Sequence, residues 1–291
     1  MILVTGATGN VGVEVVAALG RRDHPVRALA RDPAMARTTL PATVEVVPGD
    51  LDHPATVEAG LDGVDGVFLL GNFATLPDLL TSMRSAGVGH VALLTSRCVI
   101  GGNPDNAVTR MWLDAEAAVR SSGLAWTILR PSGFHSNTLR WLPQLRAGDL
   151  VRAPWPDAAI ASIDPADIAA VAAAALVDRS YDVQALTLSG PEALTPGDQV
   201  TTLAQALGRP LTYEPLTDDD ARAAMASDTP PAIVDALFRF FSDGEFDDSP
   251  VVDTVNRITN RPATPFDHWA RTHGHRFQQQ APPPPTRSTT R

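Results

Sequence analysis

Short runs of apolar and β-branched residues alternate with helix-like stretches through the first half of the chain. Ile2-Leu3-Val4 precedes a helix predicted over 11–19, and 26–30 and 44–47 read as the second and third strands. A fourth strand is predicted at 66–70, after a helix start at Asp52 and Pro54 and an amphipathic stretch through Leu61. A fifth falls at 90–95, after a helix near 77–85, and a sixth at 125–129, after a long helix over 106–121. Near-continuous apolar strands separated by helices predict a parallel sheet covered on both faces. Right-handed crossovers then make the fold class α/β, a doubly wound parallel sheet of Rossmann type.

The rhythm changes after Pro131. Trp141 and Trp155, among Pro143, Pro154 and Pro156, predict an irregular segment. Asp167 is placed to cap an alanine-rich helix over 168–176, and 185–188 reads as one more strand. Further helices are expected near 197–207, 218–226, 231–241 and 265–273, with a strand at 211–214. The organisation expected is a nucleotide-binding domain over 1–152, with 158–190 returning to its sheet. A smaller, mostly helical region over 191–276 would cover the substrate, and 277–291, with its four consecutive prolines, reads as a disordered tail.

Composition narrows the classes. Apolar residues make up 44% and charged residues 19%, as a folded core requires. A net charge of -10 argues against nucleic acid or an anionic membrane as partner. The single cysteine, Cys98, excludes an internal disulfide and a multi-cysteine metal cluster, and no metal site is expected. The opening reads as a strand rather than a signal peptide, and the longest apolar run is too short for a membrane span; a cytoplasmic monomer or homodimer is the expectation. All 23 basic residues are arginine. The absence of lysine excludes a P-loop lysine, a Schiff-base lysine and a lysine base together.

The loop Thr5-Gly6-Ala7-Thr8-Gly9-Asn10-Val11-Gly12 lies between the first strand and the first helix, where a dinucleotide's pyrophosphate binds. Gly6 permits the tight turn, Gly9 the approach of the phosphates and Gly12 the contact of helix with strand. The amides of Asn10 and Val11 face the anion. The second strand ends Ala30-Arg31-Asp32-Pro33. An NAD enzyme places an acid there for the ribose hydroxyl, whereas Arg31 is suited to a 2′-phosphate. Asp32 before Pro33 reads as a helix cap. NADP(H) is therefore the expected cofactor. Asp50 and Leu51 would flank the adenine, and Leu70, Gly71 and Asn72 the ribose.

These segments, with 122–131, Phe134 and Asn137, resemble the NmrA-like branch of the atypical short-chain dehydrogenase/reductases over residues 1 to about 276. The resemblance implies NADP(H) binding and a substrate pocket in the second region. It also implies functions ranging from quinone, flavin, azo and iminium reduction to redox-sensing regulation. Pro131 and Ser132 would edge the nicotinamide. The Tyr-x-x-x-Lys acid of the wider superfamily is missing, its places falling near Val108 and Trp112.

An unactivated ketone would lose the roughly 10²- to 10⁴-fold supplied by such an acid, so an activated acceptor (quinone, flavin, iminium or conjugated carbonyl) is expected. Ser96 and His135 are the candidate catalytic residues, His135 as substitute acid. Trp112, Phe134, Asn137 and Trp155, with Trp141, are candidates for the pocket of a small-molecule substrate. Asp114, Glu116 and the acidic run 243–248 read as solvated or capping charges. An NADP-sensing regulator without turnover and a non-redox cyclase or isomerase remain alternatives to the reductase.

Overall fold

The computed structural model describes residues 1–71 and 73–277, so Asn72 and the expected tail from 278 onward lie outside the described residues. The chain opens with β1 (Ile2–Val4), α1 (Gly12–Gly20), β2 (Val26–Ala30), α2 (Pro33–Thr39) and β3 (Glu45–Pro48). It continues through β4 (Gly66–Leu70), α3 (Leu76–Ser85), β5 (His90–Leu94), α4 (Ala107–Ser121) and β6 (Ala125–Pro131). Then come α5 (Leu142–Ala147), β7 (Leu150–Ala153), α6 (Pro165–Val177) and β8 (Gln184–Leu188). The last part holds α7 (Pro196–Leu207), β9 (Thr212–Pro215), α8 (Asp218–Met225), α9 (Pro231–Phe241), α10 (Thr254–Thr259) and α11 (Phe266–Thr272).

Seven strands form one parallel sheet in the order β3-β2-β1-β4-β5-β6-β8. On one face Val15, Val16, Leu19, Ile168 and Val171 pack against Val4, Ala28, Phe68 and Ala92; on the other, Leu79, Met83 and Val119 pack against Leu3, Val67, Leu69 and Val91. Alternate residues of each strand thus serve opposite faces, as the two-residue period requires. The strand order reverses between β1 and β4, the switch point at which open α/β sheets bind ligands. Thr5 holds that point together: its hydroxyl donates to the Phe68 carbonyl at 2.9 Å and accepts from the Leu70 amide at 3.1 Å.

Several expectations give way. The stretch after Asp52 forms two 3₁₀ segments, Pro54–Thr56 and Glu58–Leu61, instead of an α-helix. Asp164, not Asp167, caps α6, accepting from the Ala166 amide at 2.9 Å, with Pro165 in the first turn. Asp167 is buried inside that turn, where it accepts from the Thr264 amide at 2.6 Å and pairs with Arg261 at 2.5 Å. The supposedly irregular segment contains α5 and β7. β7 pairs with β9, and Trp141, Leu145 and Val151 share a core with Val200, Leu203, Phe266 and Trp269. Residues 141–153 therefore share a core with the smaller lobe formed by residues beyond 191. Phe277, expected in the tail, closes this core against Trp269. Among the described residues, no helix is long and apolar enough to cross a membrane.

Candidate active site

The glycine loop is shaped by backbone constraints that side chains violate. Gly6 has φ of 58°, and a Cβ there would lie 2.6 Å from Leu70 Cδ1. A Cβ on Gly12 would lie 2.0 Å from the Gly6 carbonyl oxygen. Side chains cap the N-termini of α2, α4, α6, α7 and α8, but none caps α1. The Val13 amide donates to the Gly9 carbonyl at 3.1 Å, and the other amides at that end, with the positive end of the dipole, suit an anion from outside the chain.

Beside the loop opens a cavity of about 420 Å³, lined by Gly6, Thr8, Arg31, Asp50, Leu51 and Leu70, among others. Arg31 is exposed at its edge and makes no ion pair among the described residues. The neighbouring carboxylate is turned away, since Asp32 caps α2 through the Met35 amide at 3.0 Å. Met35, 64% exposed on this cavity, and Phe73 supply apolar walls that sequence reasoning missed; neither belongs to a motif. Asp50 braces its own turn, accepting from the Asp52 amide at 3.1 Å.

The tips of β5 and β6 form the next wall. Ser96 accepts from the Cys98 amide at 3.3 Å, capping a short 3₁₀ turn. Pro131 and Ser132 are buried at the end of β6. The Ser132 hydroxyl donates to the Ala161 carbonyl, and its amide to the Leu188 carbonyl at 2.9 Å. That hydroxyl faces the protein. Phe134 and Asn137 stand on the segment that follows, Phe134 half-buried and Asn137 exposed. Gly71 is buried at the tip of β4, where a Cβ would come within 3.2 Å of Leu93 and of the Leu94 carbonyl.

The structure removes His135 from the role of acid. Its ring is fully buried, with Nδ1 2.9 Å from the Ser162 hydroxyl and Nε2 3.1 Å from the Thr264 carbonyl. Only an Nε2–H can serve that carbonyl, so Nδ1 accepts from Ser162 and the neutral ring is satisfied on both sides. Burial pushes its pKa down to about 4, the Thr264 bond opposing. His135 joins the sheet to the lobe. Trp155, half-buried, packs on Phe238 and Phe241 with ring centroids 5.3 and 4.9 Å apart. Trp112 stands half-buried on α4.

Two acids expected at the surface are buried at these tips instead. Glu116, on α4, receives Arg130 through both oxygens at 2.8 and 2.5 Å, and also the Thr95 hydroxyl at 3.3 Å. Asp248 accepts from the Gly133 amide at 2.9 Å and lies 3.7 Å from Arg97. One carboxylate thus ties the segment after α9 to the turns leaving β5 and β6. Nothing local marks it, because its burial arises from contacts across 115 residues of chain.

Comparison with known proteins decides the family. A profile of the NAD(P)H-binding family matches residues 6–179. The chain belongs to this NAD(P)H-binding family. It is 42% identical to a (4-alkanoyl-5-oxo-2,5-dihydrofuran-3-yl)methyl phosphate reductase of Streptomyces griseus, covering 95% of this chain and 99% of that one. It is 36% identical to an NAD(P)H azoreductase of Xenophilus azovorans, with the same coverage. An Escherichia coli NADPH-dependent quinone oxidoreductase solved with NADPH superposes with a TM-score of 0.77 at 25% identity, over 96% of this chain and 100% of that one. As a member of the NAD(P)H-binding family with NmrA-like relatives, the protein is an NAD(P)H-dependent oxidoreductase and NADP(H) is its cofactor. Its own residues fit that group: an uncapped helix start, a loop that would not accept a Cβ at Gly12, and a cavity edged by an unpaired arginine.

Four buried titratable groups set the acid response of this framework. Burial pushes His90, like His135, to about 4, against an ordinary 6.5. Between those values the unfolded chain holds more protons, so the histidine contribution is present above 6.5 and is lost as pH falls to 4. Asp164 and Asp248 act oppositely. Burial raises both to about 6 from an ordinary 3.8, so the native state holds the extra protons and stability declines as pH rises through that window. The two pairs offset each other between about pH 4 and 6. Asp248→Asn removes one opposing group. Its unfolding free energy in urea should then fall on acidification by roughly 1.4 kcal/mol per pH unit more than wild type. Parallel pH profiles would contradict this assignment.

Proposed function

We propose that the protein is an NADPH-dependent reductase of doubly activated, conjugated carbonyl acceptors, specifically 4-acyl-2,5-dihydrofuran-5-ones. The observation that carries this reading is the composition of the strand tips, where the tyrosine and lysine of the usual acid are missing and two of the other candidates, His135 and Glu116, are engaged elsewhere. Lysine is absent from the chain, Tyr181 and Tyr213 lie outside α4, His135 is enclosed, and Glu116 is locked to Arg130. A site of this kind suits an acceptor that stabilises its own negative charge.

The Streptomyces griseus relative, nearly the same length, acts by its name on such a molecule. Its ring double bond is conjugated to two carbonyls, the lactone and the acyl group. When bound, NADPH would supply a hydride, accepted at the ring carbon bearing the methyl phosphate as the double-bond electrons move onto the two carbonyl oxygens, leaving NADP⁺. The resulting enolate takes its proton from water at the carbon between the carbonyls.

The chain's own residues do the remaining work. The α1 amides and Arg31 hold the dinucleotide, Met35 and Leu51 wall its base, and the β5 and β6 turns, fixed by Glu116 and Asp248, form the floor beneath the acceptor. Azo and quinone acceptors, named for the other relatives, share the same self-stabilised product charge.

The test is loss of NADPH absorbance with a panel comprising an acyl-dihydrofuranone, a quinone, an azo dye and a simple cyclic ketone. We expect fastest turnover of the dihydrofuranone, and at least ~10²-fold slower turnover of the simple ketone. Reduction of the simple ketone at a comparable rate, or no oxidation with any acceptor, would overturn the proposal.

A further inference from the structure

We propose that Arg140 is the anion-recognition residue of the acceptor cleft and receives a phosphomonoester carried by the substrate. This rests on the reductase reading above and deepens it. Arg140 lies on the 3₁₀ segment His135–Trp141, which leaves the β6 tip directly after Phe134. In a 3₁₀ helix, residues three apart share a face. His135, Thr138 and Trp141 form the buried face, whereas Asn137 and Arg140 form an exposed one. The amide nitrogen of Asn137 lies 3.8 Å from where a Cβ on Gly133 would be, so this face borders the turn held by Asp248.

The guanidinium is also prepared for a ligand. Its Nε donates to the Asn137 carbonyl at 2.9 Å, which fixes the plane of the fork and leaves both terminal nitrogens for a partner. Nearby arginines are already neutralised: Arg97 faces Asp248, Arg130 is held by Glu116, and Arg239 by Glu245. Arg140 has no carboxylate partner among the described residues. It is exposed, yet the surrounding protein desolvates it and lowers its pKa below the ordinary arginine range. The side chain is thus reachable by a ligand while protein lies close around it. A charge held there gains more from an incoming anion than a fully solvated one does.

The choice of a phosphomonoester follows from this geometry. Two parallel donors match two phosphate oxygens, and with no lysine in the chain arginine is its only permanently cationic side chain. The acceptor of the 42%-identical relative bears a methyl phosphate on the ring carbon adjacent to its acyl-bearing carbon. Binding the phosphate at Arg140 would hold the ring in one orientation over the β5 and β6 tips.

The test uses the full chain saturated with NADP⁺, so that no turnover is required. Tryptophan fluorescence reads the Kd of a (4-acyl-5-oxo-2,5-dihydrofuran-3-yl)methyl phosphate and of its dephosphorylated alcohol. Wild type should bind the phosphate ester at least ~30-fold more tightly than the alcohol. Arg140→Gln should reduce that ratio to about three or less, and Arg140→Lys should restore part of it, because a point charge lacks the fork. A titration of Arg140→Gln with NADP⁺, expected within about twofold of wild type, shows that the variant is folded. A ratio unchanged by Arg140→Gln, or a wild type that does not favour the phosphate ester, overturns the proposal. Failure of the reductase reading appears separately, as absence of NADPH oxidation in a protein that still makes the distinction.

Discussion

Replacing Arg31 with alanine is expected to lower the preference for NADPH over NADH by ~30- to 150-fold, corresponding to ~2–3 kcal/mol for a charge-assisted, forked hydrogen bond. The expectation rests on position and availability together. Arg31 ends β2 beside the 420 Å³ cavity, has no carboxylate partner among the described residues, and has its neighbour Asp32 engaged as the α2 cap. The loss should fall on the Kd and KM of NADPH, with NADH nearly unaffected, since only the former carries the 2′-phosphate. The wild-type preference should also weaken as ionic strength rises, because the guanidinium is exposed. Titrations of both dinucleotides at two salt concentrations decide the matter. An equal loss for both cofactors would mean that Arg31 supports the loop rather than reading the phosphate.

Gly12→Ala should weaken binding of either dinucleotide by at least ~100-fold and lower stability by ~3 kcal/mol or more. The added methyl would meet the Gly6 carbonyl oxygen at 2.0 Å and the Gly6 carbonyl carbon at 2.6 Å, so only backbone movement can relieve it. That movement would displace the uncapped start of α1. Gly9→Ala provides the contrast, its Cβ meeting only the Gly6 oxygen at 3.1 Å. It should fold with little loss yet bind the cofactor more weakly, because the methyl occupies the approach to the loop. Calorimetric titration and urea unfolding of the two variants separate these effects. A Gly12→Ala protein that binds NADPH like wild type would refute this account of the loop.

What the sequence discloses here is what local constraint writes into it. The glycine loop is legible because each glycine meets a requirement within a few residues, and Arg31 because it follows a strand directly. The inner strands β1, β4, β5 and β6 were readable because they are buried on both faces and mostly apolar, whereas the edge strands β3 and β8 are half-exposed. β7 was not, since four residues carry almost no period and its partner β9 lies some 60 residues away. Asp167 resembled a cap because it lies one turn inside the true start, where Pro165 and Asp164 share the same composition cues. His135 and Asp248 were misjudged for one reason: chemistry read from a residue type assumes solvent, and both are enclosed by distant segments. The acid missing from α4 was visible as a simple lack, but its consequence for acceptor chemistry became concrete only when Glu116 and His135 were seen to be committed elsewhere.

The bridge between Phe134 and Ile163 carries an evolutionary consequence. Both feet of the intervening stretch lie side by side at the rim of the nucleotide platform, while the stretch itself packs against α7 and α11. A change in that stretch must be matched in α7 or α11, while the sheet beneath can pass on unaltered.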